Sequence, residues 1–189
     1  ATILGTIQST LTDFKYLRKV WKHNTEEERL LGVSLTGIMD HSVLSKNVDS
    51  KIWLEKMRDT AIETNRQYAQ TLGIPQSSAI TCVKPSGTVS QLVDAASGIH
   101  ARHSQHYIRT VRGDSKDPLT QFLIDSGVPA ERDVTKPDSV TVFSFPMQSP
   151  KGAVTRTDMS AVQQLELWKT YALHWCEHKP SITVTVKED

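Results

Sequence analysis

The sequence has no apolar run near the roughly 18 residues a helix needs to cross a bilayer. It shows no signal-peptide pattern, no internal repeat and no low-complexity linker. Only two cysteines occur, Cys82 and Cys176, which make neither a disulfide framework nor a metal-ligand spacing. Charge of one sign is also lacking. Lys and Arg total 22 against 21 for Asp and Glu, so no basic field draws nucleic acid. These absences point to a cytoplasmic protein in a reducing compartment, with neither membrane nor nucleic acid as partner.

What is present is an alternation of helices and short strands, the pattern of the α/β class. Thr2 to about Trp21 reads as helical with a break near Thr12-Asp13, and Gly32–Ile38 as a strand. A long helix is expected from about Lys51 to Leu72, with Trp53, Met57, Ala61, Tyr68 and Leu72 as its apolar stripe. Asp49 or Ser50 can cap its start, and Gly73 and Pro75 end it. His106–Val111 and Ser139–Phe145 read as strands, the second with one buried face. Between them Pro118–Ser126 forms a short helix closed by Gly127. Ser160 with Gln163 makes a capping box for a helix to about Trp175, whose stripe is Ala161, Leu165, Trp168, Ala172 and Trp175. A last strand is expected over Ser181–Val186. On these stripes Trp53, Trp168 and Trp175 read as core residues.

The segment with the most chemistry is Lys84-Pro85-Ser86-Gly87-Thr88-Val89-Ser90, which follows the β-prone Ala79–Val83. A strand that turns into a helix start presents unpaired N–H groups and the positive end of the helix dipole at one point. Pro85 ends the strand cleanly. Gly87 lets a ligand oxygen approach the backbone, in a turn that can call for angles closed to other residues. The phosphate-binding residues expected here are Pro85, Ser86, Gly87, Thr88, Val89 and Ser90, through amides and hydroxyls. Lys84 can add charge, but its place before the turn favours a solvated side chain pointing away from the ligand. An ordinary helix cap is the plain alternative. The loop is not of the Gly-x-x-x-x-Gly-Lys-Ser/Thr kind, since it holds a single Gly.

The stretch from Ile80 to His103 resembles the substrate-phosphate loop and its continuation in ribonucleotide reductases, most of all the adenosylcobalamin-dependent (class II) ribonucleoside-triphosphate reductases. Tyr107–Arg112, Asp117–Thr120, Gly5–Phe14 and Glu28–Gly37 continue the likeness, which covers essentially the whole chain. The resemblance implies the ten-stranded α/β barrel of those enzymes, with residues 1–189 as a single incomplete segment of the catalytic domain. It also implies adenosylcobalamin as cofactor, a ribonucleotide substrate, a dithiol reductant such as thioredoxin, and the remainder of the reductase chain as partner. The family's radical cysteine lies in an Asn-x-Cys-x-Glu motif, which neither Cys82 nor Cys176 matches. No catalytic residue and no metal ligand is therefore assigned in this chain, and its expected part is to hold substrate phosphate. The rival is a stand-alone, non-catalytic nucleotide- or phosphate-binding module.

Two further groupings stand out. His100, His103 and His106 recur beside Arg102, Arg109 and Arg112; they read as a cationic rim near the phosphates or, with no carboxylate or Cys to complete the set, less readily as metal ligands. His174 and His178 sit one turn apart at a helix end, where a cation favours the dipole.

Overall fold

Two short parallel strands and the long helix that links them organise the larger part of the protein. The computed structural model describes residues 1–186. In chain order these form α1 (Thr2–Gln8), α2 (Lys19–Glu28), β1 (Val33–Ser34), a 3-10 turn (Ile38–Asp40), α3 (Asn47–Leu72), β2 (Thr81–Cys82) and α4 (Val89–Leu92). There follow β3 (His106–Asp114), α5 (Pro118–Asp125), β4 (Ala130–Arg132), β5 (Val140–Gln148) and α6 (Ala161–His174). The architecture is mixed α/β. The chain separates into two compact units, His103–Lys151 and the rest. No helix among the described residues is long and apolar enough to cross a membrane.

In the first unit β1 pairs in parallel with β2, Val33 opposite Thr81 and Ser34 opposite Cys82. Parallel strands need a crossover, and α3 supplies it. Ile38, Met39, Leu54, Val83, Ile99, Leu167, Tyr171 and Trp175 close the core around this motif. α3 packs against both α1 and α6.

Several sequence expectations are corrected here. The first helical stretch breaks across Thr12-Asp13 as expected, but more widely: α1 ends at Gln8, where the Ser9 and Thr10 hydroxyls bond the carbonyls of Thr6 and Ile7, each at 2.7 Å, and α2 starts at Lys19 and runs on to Glu28. The strand expected over Gly32–Ile38 shrinks to Val33–Ser34, since Gly37 turns the chain at φ 73° into the 3-10 turn. α3 starts at Asn47, and its N-cap Lys46 makes no side-chain bond, so neither Asp49 nor Ser50 caps it.

The buried stripe of α3 is also rotated from the expected one. It runs through Ser50, Leu54, Ala61, Asn65 and Ala69, while Trp53 is 56% exposed and borders a cavity of about 300 Å3 with Met57 and Trp175. Burial of Asn65 is tolerated because its amide is fully used. It donates to the hydroxyls of Thr6 at 2.9 Å and Ser77 at 3.0 Å, and accepts from Ser77 N at 3.0 Å.

α6 behaves in the same way. Its capping box forms with both halves present, but the buried face is Gln164, Leu167 and Tyr171. Gln164 donates to the Thr183 carbonyl at 3.0 Å and accepts from Thr185 N at 3.3 Å. Residues 181–186 form no strand among the described residues; side chains of α6 and His100 serve their backbone instead. Trp175 is buried as expected, and Trp168 is half-buried with its indole N–H on the Pro180 carbonyl at 2.9 Å.

The second unit is an antiparallel sheet in the order β3-β5-β4. β3 pairs with β5 from His106 opposite Gln148 to Asp114 opposite Val140. α5 begins as expected at Pro118, capped by Asp117, which accepts from Leu119 N at 2.8 Å. In β5 the adjacent Val142 and Phe143 are both buried, so the expectation of a single buried face is corrected.

Candidate phosphate site

The loops that follow β1 and β2 meet at the carboxyl ends of these parallel strands, where open α/β sheets place their ligands. Residues 84–88 follow β2, and Thr36 follows β1. Two hydroxyls of the expected cradle, Ser86 and Ser90, can be followed proton by proton. Thr36 Oγ1 lies 3.0 Å from the Ala96 carbonyl and 2.7 Å from Ser86 Oγ. A carbonyl only accepts, so the Thr36 proton goes to Ala96 and the Ser86 hydroxyl donates to Thr36. Gly98 N donates to both oxygens, at 3.0 Å each. Ser90 is fully buried; its hydroxyl donates to the Ser86 carbonyl and accepts from Gln91 Nε2 at 3.1 Å. Ser86 and Ser90 therefore have no hydroxyl proton left for a ligand. Thr88 is exposed, with its side chain uncommitted.

The backbone of the loop is open where its hydroxyls are closed. The N–H groups of Ser86, Gly87, Thr88 and Val89 have no acceptor among the described residues. A Cβ placed on Gly87 would meet nothing within 4 Å, and its φ is not in the left-handed region. That corrects the expectation of unusual angles at Gly87: glycine there leaves space. Successive free amides beside an open approach are a nest for an oxyanion. Lys84 is exposed, and its Cδ lies over Gly32, back along β1.

The left-handed glycine of the site is Gly98. Its φ is 54°, and a Cβ there would sit 2.8 Å from the Lys84 carbonyl oxygen. Gly98→Ala is expected to destabilise the fold by about 1–3 kcal/mol and to push the loop off Ser86. Thermal melts of this variant beside Gly73→Ala, whose added Cβ meets nothing within 4 Å, separate the clash from the shared cost of positive φ.

Within the first unit, the two members of the expected cationic rim, His100 and Arg102, are committed to other partners. The Arg102 side chain is only 4% exposed and is paired with Asp40. His100 Nδ1 is 2.9 Å from the Ser97 carbonyl, and Nε2 accepts from Thr183 N at 3.0 Å, which fixes a neutral ring with its proton on Nδ1. His103, His106, Arg109 and Arg112 belong to the second unit. There Arg112 bonds Asp133 at 2.8 Å, and the His103 ring stands 5.9 Å from that of Tyr107. His174 closes α6 with Nδ1 2.9 Å from Glu55 Oε1. No group of three or more His, Cys, Asp or Glu among the described residues can hold a metal. Both cysteines are free thiols in buried positions. Burial pushes the Cys82 thiol above its ordinary value and Cys176 to about 12.

Sequence reasoning missed Thr36, Asp40 and Gly98. Thr36-Gly37 and Gly98 did lie inside the stretches that resemble the reductases, and that was the available signal.

No family model matches the chain. Among curated proteins, the adenosylcobalamin-dependent ribonucleoside-triphosphate reductase of Euglena gracilis is 30% identical over 168 residues, 87% of this chain and 23% of that protein. The enzyme of the same name from Lactobacillus leichmannii is 24% identical over 193 residues, 86% of this chain and 26% of that one. The chain is homologous to one segment of these reductases. It spans about a quarter of the length of the curated relatives it matches. A crystal structure of a B12-dependent (class II) ribonucleotide reductase shares the fold, with a TM-score of 0.77 at 20% identity. That match covers 98% of this chain and 30% of the reductase.

Proposed function

We propose that this segment binds the phosphates of a ribonucleotide within an adenosylcobalamin-dependent ribonucleoside-triphosphate reductase, as part of the ten-stranded catalytic barrel. The run of unpaired amides from Ser86 to Val89, beside the open face of Gly87, carries the reading. Homology to reductases named for a triphosphate substrate supplies the ligand class. A held phosphate fixes the ribose relative to the reacting groups, so binding energy here becomes orientation. The donors are Ser86 N, Gly87 N, Thr88 N, Val89 N and Thr88 Oγ1. Pro85 shapes the turn, and Ser90 braces it through the Ser86 carbonyl.

The phosphate loop does not itself suit a corrin, because it offers main-chain amides, which suit an anion. Adenosylcobalamin, the radical cysteine and the reducing cysteine pair are therefore assigned to other residues of the reductase, and no catalytic step is placed on this segment. The full chain is expected to form deoxyribonucleotide only with adenosylcobalamin and a dithiol such as reduced thioredoxin. Turnover restored by a separate radical-generating subunit, with no cobalamin present, would contradict this reading.

A further inference from the structure

Both ends of the phosphate loop are tied to the segment 94–98. Ala95 N donates to the Ser90 carbonyl at 2.8 Å, and Gly98 N to the Ser86 hydroxyl at 3.0 Å. Thr36 joins the middle, bonding the Ala96 carbonyl and Ser86 together. The segment is gripped from its other side by Asp40 and Arg102. Asp40 Oδ2 accepts from Ala96 N at 2.7 Å and from Arg102 Nη2 at 2.8 Å, while Arg102 Nε donates to Asp40 Oδ1 at 2.9 Å. Arg102 Nη2 also reaches the Asp94 carbonyl at 2.8 Å, where Asp94 sits at φ 45°. The guanidinium has a fixed base. Arg102 N donates to the Val154 carbonyl at 3.0 Å and its own carbonyl accepts from Arg156 N at 2.9 Å.

We propose that Asp40 and Arg102 are positioning residues of the phosphate loop, which set its amides through the segment 94–98. The proposal rests on the reading of residues 86–89 as the phosphate site. A two-pronged guanidinium–carboxylate pair fixes direction as well as distance, which a single ammonium cannot do. Both Asp40 oxygens accept bonds, so an amide in its place turns an N–H toward a donor in either orientation. The loop amides then lose their common aim, while the nucleoside end of the substrate is untouched.

The test uses the full chain and two probes, inorganic tripolyphosphate and a ribonucleoside without phosphates. Asp40→Asn is expected to weaken tripolyphosphate binding about tenfold and to leave nucleoside binding as it was. Arg102→Lys, which keeps the charge and loses the fork, is expected to weaken it in the same direction and to lower the melting temperature, so its binding is read below the onset of its own melt. It serves as the readout if Asp40→Asn does not fold. In turnover assays the KM for the triphosphate should rise more than kcat falls. Gly87→Val is the reference for the site itself. Unchanged tripolyphosphate affinity in the folded variants, with Gly87→Val defective, would overturn the positioning role alone. Unchanged affinity in Gly87→Val as well would remove the phosphate site and the positioning role together.

Discussion

Gly87→Val in the full chain is expected to lower affinity for a ribonucleoside triphosphate by about a hundredfold while leaving the melting temperature unchanged. The two halves of that result have separate causes. The added side chain enters space where nothing lies within 4 Å, and Gly87 is not in the left-handed region, so folding costs little. The same space is the approach of a phosphate oxygen to the free amides of residues 86–89, so the ligand meets the valine methyls. Thr88→Ala is expected to lose about tenfold in affinity, the value of one hydroxyl donor to a charged acceptor. Ser86→Ala and Ser90→Ala act differently, because their protons are spent on Thr36 and on the Ser86 carbonyl. Their effect should appear first as lower stability of the loop. Nucleotide titration with a parallel melt separates these cases, and a Ser86→Ala loss as large as that of Thr88→Ala, without a change in melting, would contradict the proton assignment.

Leu167→Ala is expected to destabilise the protein by about 2–5 kcal/mol, whereas Leu165→Ala changes stability by less than about 0.5 kcal/mol. Leu167 is 1% exposed in the core with Tyr171 and Leu54, and Leu165 is 47% exposed. Urea unfolding of the two variants measures the difference directly. Equal losses would mean that the helix presents the Leu165 face to the core, as its apolar spacing alone suggests.

That pair shows why helix existence was legible in the sequence while helix facing was not. The Ser160–Gln163 capping box, the Asp117-Pro118 start and the close of α3 at Gly73 are local chemistry, and each appears where its residues stand. Facing depends on partners distant in sequence. Asn65 is buried because Thr6 and Ser77 meet its amide, and Gln164 because Thr183 and Thr185 do. A stripe interrupted by such polar residues loses to a more apolar neighbouring stripe when only spacing is read. The site follows the same division. Strand, proline turn and glycine in residues 79–90 are local features, and the proposed anion loop is legible from them by composition. The Asp40–Arg102 pair and the Thr36–Ser86 bond are non-local: by spacing alone Arg102 belongs with the cationic rim, and its carboxylate partner is distant in sequence.

The most direct measurement is a crystal structure of the full chain with a ribonucleoside triphosphate bound. Phosphate oxygens are expected within about 2.7–3.2 Å of the amide nitrogens of Gly87, Thr88 and Val89, with Thr88 Oγ1 as a further donor and Ser86 Oγ still on Thr36. Phosphates seated elsewhere, with the amides of 86–89 still facing solvent, would contradict the central claim.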